Sequence, residues 1–194
     1  MKIVVVTSNI HKAAEIADFF GGLVAITHVS MDIPEYRHDD VGEIACRKAE
    51  YAFHALGCPL MVDDTAFSIE ALGGFPGPYA AYVLSTLGND GILKLLEGVT
   101  NRNAYFETAV AVASETGIRV FRGRVDGVIV SPRGDSGFGY DPIFEVEGRT
   151  FAERDCAEKN RISHRARALA LLKDWILAEI GPVQGKTVKR KDDV

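Results

Sequence analysis

Residues 60–67 read LMVDDTAF, an apolar run of Leu60, Met61 and Val62 that meets two adjacent acids, Asp63 and Asp64. Entered from Gly57-Cys58-Pro59, the run predicts a buried strand. Neighbouring carboxylates repel and raise each other's pKa unless a cation or a proton is shared between them. Two readings stay open on this stretch alone. Asp starts turns readily, so the pair can be the turn that ends the strand. Alternatively, the acids belong to a site that supplies the cations.

On the N-terminal side, KIVVV (residues 2–6) predicts a strand, HKAAEIADFF a helix ended by Gly21-Gly22, and LVAITHV a second strand. A polar loop, MDIPEYRHDD, leads into helical periodicity from Val41 to Leu56. On the C-terminal side, AFSIEALGGFPGPY predicts an irregular glycine-rich segment, followed by helical stretches at Ala80–Leu87 and Gly91–Leu96. Ala104–Ala113 and Ile118–Val130 predict long strands joined at Glu115-Thr116-Gly117. Ser163–Ile180 predicts a helix, its stripe of Ala168, Leu172, Trp175, Ile176 and Ile180 fitting a period of 3.6. Alternation of strand and helix, then paired long strands, predicts an α/β fold with a mixed sheet flanked by helices. One domain over residues 1–181, with two lobes sharing the sheet, leaves 182–194 as a polar tail.

A chain of 194 residues suits one well-cored domain, and 47% hydrophobic with 25% charged residues is ordinary for a soluble protein. The net charge of −5 argues against a general nucleic-acid surface. Cys46, Cys58 and Cys156 form no CxxC pair, which favours free thiols in a reducing compartment over a disulfide frame or a zinc site. The first apolar run is too short for a signal peptide, and no stretch approaches membrane-spanning length. The expectation is a cytoplasmic protein with no membrane and no nucleic-acid partner.

Three further segments carry chemistry. TSNIHK, Thr7 to Lys12, lies between a strand and a helix, where free N–H groups and a partial positive charge attract anions. It is not a Walker A loop, and a simple capped helix with a solvated Lys12 is the competing reading. SHRARALALL begins at Ser163, a suitable N-cap, and places His164 and Arg165 in a first turn where basic groups oppose the helix dipole. With Lys159 and Arg161 close by, either an anionic or carbonyl-bearing ligand or the acids of AERDCAEK would compensate them. SGFGYDPIF, residues 136–144, has Gly137 and Gly139 around Phe138, and then Tyr140-Asp141-Pro142. That pattern suits either an aromatic-packed turn or a face on which a base stacks, with Asp141 accepting from ring N–H groups. Phosphate donors, paired acids, a basic helix start and an aromatic platform together describe a nucleotide. Glu35 in IPEY and Lys48 in ACRKAE join them, since Mg²⁺ takes one or two carboxylates plus water and phosphate oxygens.

In this order TSNIHK, VDDTAFSIEALGGFPGPY, FGYDPIF with TFAE, and EKNRISHRARAL resemble the inosine/xanthosine triphosphate pyrophosphatases, from Lys2 to about Leu172. The resemblance implies an elongated mixed sheet in two lobes with a cleft between them, a homodimer, and Mg²⁺-dependent hydrolysis of a purine nucleoside triphosphate to monophosphate and pyrophosphate. It implies that Thr7, Ser8, Asn9, Ile10, His11 and Lys12 hold phosphates with Lys48. Asp64 would be the catalytic acid group and a metal ligand, Glu35 a second ligand, and Asp63 a supporting one. Thr65 would touch substrate, while Phe138, Gly139, Tyr140, Asp141, Lys159, His164 and Arg165 would form the nucleotide and base pocket. Ser8 stands where that family usually has Gly, Thr65-Ala66 where Ser-Gly is frequent, and Arg154 where Met is common. A haloacid-dehalogenase-like phosphatase is the rival, although its nucleophile motif is Asp-x-Asp; a non-catalytic nucleotide sensor is another.

Overall fold

The computed structural model describes residues 2–180, so the expected polar tail at 182–194 lies outside the described residues. Strand β1 (Lys2–Val6) runs parallel to β2 (Ala25–Val29) on one side and to β3 (Leu60–Ile69) on the other. Helix α1 (Ile10–Phe20) makes the first crossover. Asn9 starts it, its side-chain oxygen accepting from the N–H groups of His11 and Lys12. Gly21 ends it at φ +50°, a left-handed conformation that glycine adopts without a Cβ penalty. Asn9→Ala should therefore cost about 1 kcal/mol of stability in urea denaturation, the usual value of an N-cap. An unchanged midpoint would mean that solvent satisfies those N–H groups equally well.

Of the two readings of Asp63-Asp64, the turn is not the one found. β3 continues through both acids to Ile69, because it pairs antiparallel with β5 (Asn103–Ser114) along its whole length, from Leu60 opposite Ala113 to Ile69 opposite Ala104. The stretch read as irregular thus begins as strand, and then becomes a tight turn at Glu70–Leu72 and the short β4 (Pro76–Gly77). A two-residue turn joins β5 to β6 (Gly117–Ile129), and β7 (Phe144–Val146) and β8 (Arg149–Thr150) complete the sheet in the order β2-β1-β3-β5-β6-β7-β8, with β4 on β3. The sheet is mixed and helix-flanked, as expected.

One face is covered by α2 (Val41–Leu56). Ala45, Ala49 and Ala52, all fully buried, let its backbone lie close against Leu60, Val62, Ala109 and Ala111. The opposite face carries α1 and α6 (His164–Ile180), with Ile16, Phe20, Leu169, Leu172 and Ile176 packed on Val5, Met61 and Val110. Farther along that face α3 (Ala80–Thr86) and α4 (Gly88–Leu95) close over an aromatic cluster of Phe67, Phe106, Tyr140, Phe144 and Phe151. Phe67 is its hub, with ring centroids 4.4 Å from both Phe106 and Tyr140. A helix not foreseen in the sequence, α5 (Cys156–Ile162), begins at a capping box between Asp155 and Glu158. Among the described residues no helix is long and apolar enough to cross a membrane.

Candidate active site

Strand pleating resolves the two acids. Successive side chains of β3 point to opposite faces, so Asp63 follows Met61 towards α1 and α6, while Asp64 follows Val62 towards α2. Each finds its own cation. Asp63 Oδ2 accepts from Lys12 Nζ at 3.2 Å and Arg165 Nε at 3.1 Å, and Asp64 Oδ2 lies 2.6 Å from Lys48 Nζ. Burial raises the Asp63 carboxyl, but Lys12 and Arg165 outweigh it and hold the group below the usual carboxylate range. Burial likewise works against the Lys48 ammonium, and Asp64 with Glu35 keeps its pKa above the ordinary value.

The same strand has an open edge. β1 pairs with β3 only at Leu60 and Met61, and β4 only at Phe67 and Ser68, which leaves Val62 to Ala66 without a strand on that side. A cavity of about 360 Å³ occupies the gap. Thr7, Ser8, Asn9 and Lys12 border it at the end of β1, and Glu35 and Lys48 on the α2 side. Asp63, Asp64 and Thr65 form its floor, and Phe138, Gly139, Tyr140, His164 and Arg165 its far wall.

Four expected substrate contacts stand off this wall. Ile10 is 63% exposed on the outer face of α1. His11 stacks on Phe138, centroids 5.2 Å apart and rings 17° from parallel, beside a smaller side cavity. Asp141 is buried with its Oδ2 occupied by the Phe138 N–H at 2.8 Å and Lys159 Nζ at 2.7 Å. It shapes the Phe138 turn, and burial pushes its carboxyl above the ordinary range in spite of Lys159. Lys159, carried inward by α5, spans from Asp141 to Glu15 at 2.8 Å, with its ammonium 4.5 Å from the Phe138 ring centre. Lys159 and Arg165 thus pair with acids outside AERDCAEK, Lys159 with Asp141 and Glu15 and Arg165 with Asp63 and Glu15.

Sequence reasoning missed several participants. Glu15, 7% exposed, joins Arg165 to Lys159 in a buried chain of alternating charge. Its signal was an acid on the buried face of α1, between Ala13 and Ile16. Thr108 was a lone hydroxyl among the inward positions of β5, opposite Thr65. Met31, Asp32 and Ile33 reach the cavity from a loop, and Leu84 and Phe106 from the aromatic lobe of the core, with no local pattern to announce them.

The far wall depends on how closely α6 approaches the sheet. Ser163 caps the helix, its Oγ accepting from Ala166 N–H at 3.1 Å. The next residue lies directly over Gly123 of β6. A Cβ there would overlap the His164 carbonyl and sit 2.5 Å from the backbone nitrogen of Ala168. That bare position lets His164, 4% exposed, descend until Nδ1 is 2.6 Å from Thr108 Oγ1, its ring stacked on Phe106 at 4.7 Å. Burial first, and then the charges of Arg165, Lys159 and Lys12, hold this imidazole well below its ordinary pKa, so it is neutral at pH 7. The cavity thus joins lysines and carboxylates at one end to a neutral imidazole and aromatic side chains at the other.

Comparison with known proteins places the chain in a family. The model of the Ham1 family matches residues 3–175. A Methanopyrus kandleri protein named dITP/XTP pyrophosphatase is 47% identical over 182 residues, covering 90% of this chain and 96% of that protein. An inosine triphosphate pyrophosphatase of Emericella nidulans is 42% identical, again over 90% and 96%. The solved structure of a HAM1 protein from Coxiella burnetii superposes with a TM-score of 0.80 at 32% identity, covering 91% of this chain and 98% of that one. With the family model spanning most of the sequence and relatives this similar along nearly all of it, the chain belongs to the Ham1 family.

Proposed function

We propose that this protein hydrolyses deaminated purine nucleoside triphosphates (ITP, dITP and XTP) to the nucleoside monophosphate and pyrophosphate. The observation that carries the reading is the cavity at the open edge of β3, with Lys12 and Lys48 flanking two carboxylates at one end and neutral His164 at the other. The activities named for the Methanopyrus and Emericella relatives support it. The continuous sheet supports one catalytic unit, and the family resemblance supports a cytoplasmic homodimer.

In this reading Lys12, Lys48 and the Thr7-Ser8 backbone hold the triphosphate. Asn9 contributes through its amide nitrogen, since its oxygen caps α1. Asp64 orients and deprotonates the water that attacks the α-phosphorus, and pyrophosphate leaves towards the lysines. His164 donates to the 6-keto oxygen of the base, while three nitrogens of Arg165 already serve Asp63, Glu15 and Thr65.

Glu35 Oε2 and Asp64 Oδ2 converge on the Lys48 ammonium, at 3.2 and 2.6 Å, and the neighbouring residue on β3, Asp63, has its Oδ1 buried without a hydrogen-bond partner. No group of three or more His, Cys, Asp or Glu suited to a metal occurs among the described residues. This donor set fits Mg²⁺, which needs few protein carboxylates when water and phosphate complete its shell. Glu35 and Asp64, with Asp63 behind them, would hold the ion, which when bound supplies neutralisation of charge on the phosphate oxygens.

The test is incubation with ITP, XTP, GTP and ATP in the presence of Mg²⁺, with identification of every product. Pyrophosphate should form from ITP and XTP. Adenine offers a 6-amino donor to a donor-lined pocket and leaves a buried group unpaired, worth roughly 1–3 kcal/mol. ITP should accordingly exceed ATP by about tenfold or more in kcat/KM. Equal turnover of the two removes base selection. Orthophosphate as the product points to the dehalogenase-like reading, and binding without turnover to a sensor.

A further inference from the structure

Thr108 is fully buried in the middle of β5, and nothing in the reaction outlined above uses it. It faces Thr65 across the β3–β5 ladder, with the two hydroxyl oxygens 2.7 Å apart, and its own oxygen is 2.6 Å from His164 Nδ1. Thr65 Oγ1 also accepts an N–H of Arg165 Nη2 at 3.4 Å. These four groups form a line from the centre of the buried ion-pair network to the imidazole.

The line has a direction. A guanidinium can only donate, and each threonine has one hydroxyl proton. If Thr65 donates to Thr108 and Thr108 to Nδ1, both protons are used. In the reverse order Nδ1–H donates to Thr108 and Thr108 to Thr65, and the Thr65 proton finds no acceptor among the described residues. Only in the forward order does each group accept from one neighbour and donate to the next, starting from the Arg165 cation, so that every bond polarises the following one. In the reverse order Thr65 accepts from both sides, and the forward order is favoured. A neutral imidazole carries one ring proton, and an Nδ1 that accepts puts it on Nε2. Stacking on Phe106 then fixes the plane in which that N–H points.

We propose that Thr108 is a positioning residue for base selection: with Thr65 it carries a one-way hydrogen-bond relay from Arg165 to His164 Nδ1, so that the ring offers the cavity a donor and never an acceptor. The selection role rests on the nucleotide reading above, whereas the relay does not. A ring free to change tautomer could accept from a 6-amino group as readily as it donates to a 6-keto oxygen, and discrimination would fall. Locked by Thr108, it meets the amino group of adenine with a second donor.

Two measurements test this separately. In the full-length protein with ¹⁵N-labelled histidine, two-bond ¹H–¹⁵N correlation spectra report which ring nitrogen bears the proton, His164 being assigned by its loss in His164→Gln. The wild-type ring should show an unprotonated Nδ1 and a protonated Nε2, and a proton on Nδ1 overturns the relay whatever the protein hydrolyses. The second measurement is the ratio of kcat/KM for ITP over ATP. Thr108→Val, of similar shape without the hydroxyl, should mix the two ring forms in the spectra and lower the ratio by about tenfold, the worth of roughly one hydrogen bond. Thr108→Ser, which retains the hydroxyl, should restore both. A ratio unchanged in Thr108→Val overturns the selection role even if the tautomer is as stated. Absence of turnover with every triphosphate removes the function and the selection role together, and the spectra still decide the relay.

Discussion

Asp64→Asn is expected to fold normally and to lose turnover of ITP by a factor on the order of 10³, about 4 kcal/mol of barrier, as expected when a positioned general base is removed. The amide keeps the shape of the carboxylate, and Lys48 keeps Glu35 as a partner at 3.2 Å, so the site should stay assembled. What is lost is the group proposed to take the proton, and with it one of the two carboxylates converging on the same cation. Circular dichroism and thermal melting would verify the fold, and steady-state pyrophosphate release would give the rate. A variant within tenfold of wild type would take Asp64 out of the chemistry.

The second large effect is one of stability. Glu15→Gln should cost about 3 kcal/mol, the lower end of what breaking a buried ion pair costs, because it leaves charge on Arg165 and Lys159 without its counterpart. Both cations retain one other carboxylate, Asp63 and Asp141, which keeps the loss at that lower end. Burial raises the Glu15 carboxyl, yet Arg165 and Lys159 together bring it below its ordinary value. The pH dependence follows from that sign. A folded pKa lower than the unfolded value of about 4.3 gives stability that is fully present above it and is lost as pH falls through the folded value. The gap between wild type and Glu15→Gln in urea denaturation should be widest near neutral pH and narrow progressively as pH falls below about 4.3. A gap under about 1 kcal/mol at pH 7 would mean that desolvation of the carboxylate offsets its attraction to the two cations.

The contrast between Glu15 and Asp64 shows what a sequence makes legible. Helices α1 and α2, the long β5–β6 hairpin and the body of α6 follow local periodicity, and their boundaries in the structure lie within a few residues of expectation. The floor of the cavity was legible as chemistry, since adjacent acids require cations, but not as conformation. The strand through Asp63 and Asp64 exists because of ten paired positions on β5, some forty residues later in the chain. A polar pair inside an apolar run imitates a turn when only its neighbours are seen. Glu15 was lost for the converse reason, because an acid on an amphipathic helix is ordinarily a solvated one. Helix α5 carries a readable capping signature in Asp155 and Glu158, but its seven residues are too few to show a helical period of their own. Lys159, Asp141 and His11 stood out by residue type, and tertiary packing gathers them around the Phe138 turn, behind the cavity wall.

The pleat that sends Asp63 and Asp64 to opposite faces has a consequence for how this site tolerates change in length. Which acid faces Lys48 and which faces Arg165 depends on whether the residues between each acid and the start of β3 number odd or even. One residue inserted directly after Leu60, with Leu60 held in register against β5, would exchange the two roles at once and also carry Met61 and Val62 onto the wrong cores. A change of two would preserve both assignments and merely slide them along the strand. The fidelity of the centre is in that sense a matter of parity, guarded less by the acids themselves than by the apolar residues that count out the strand on either side.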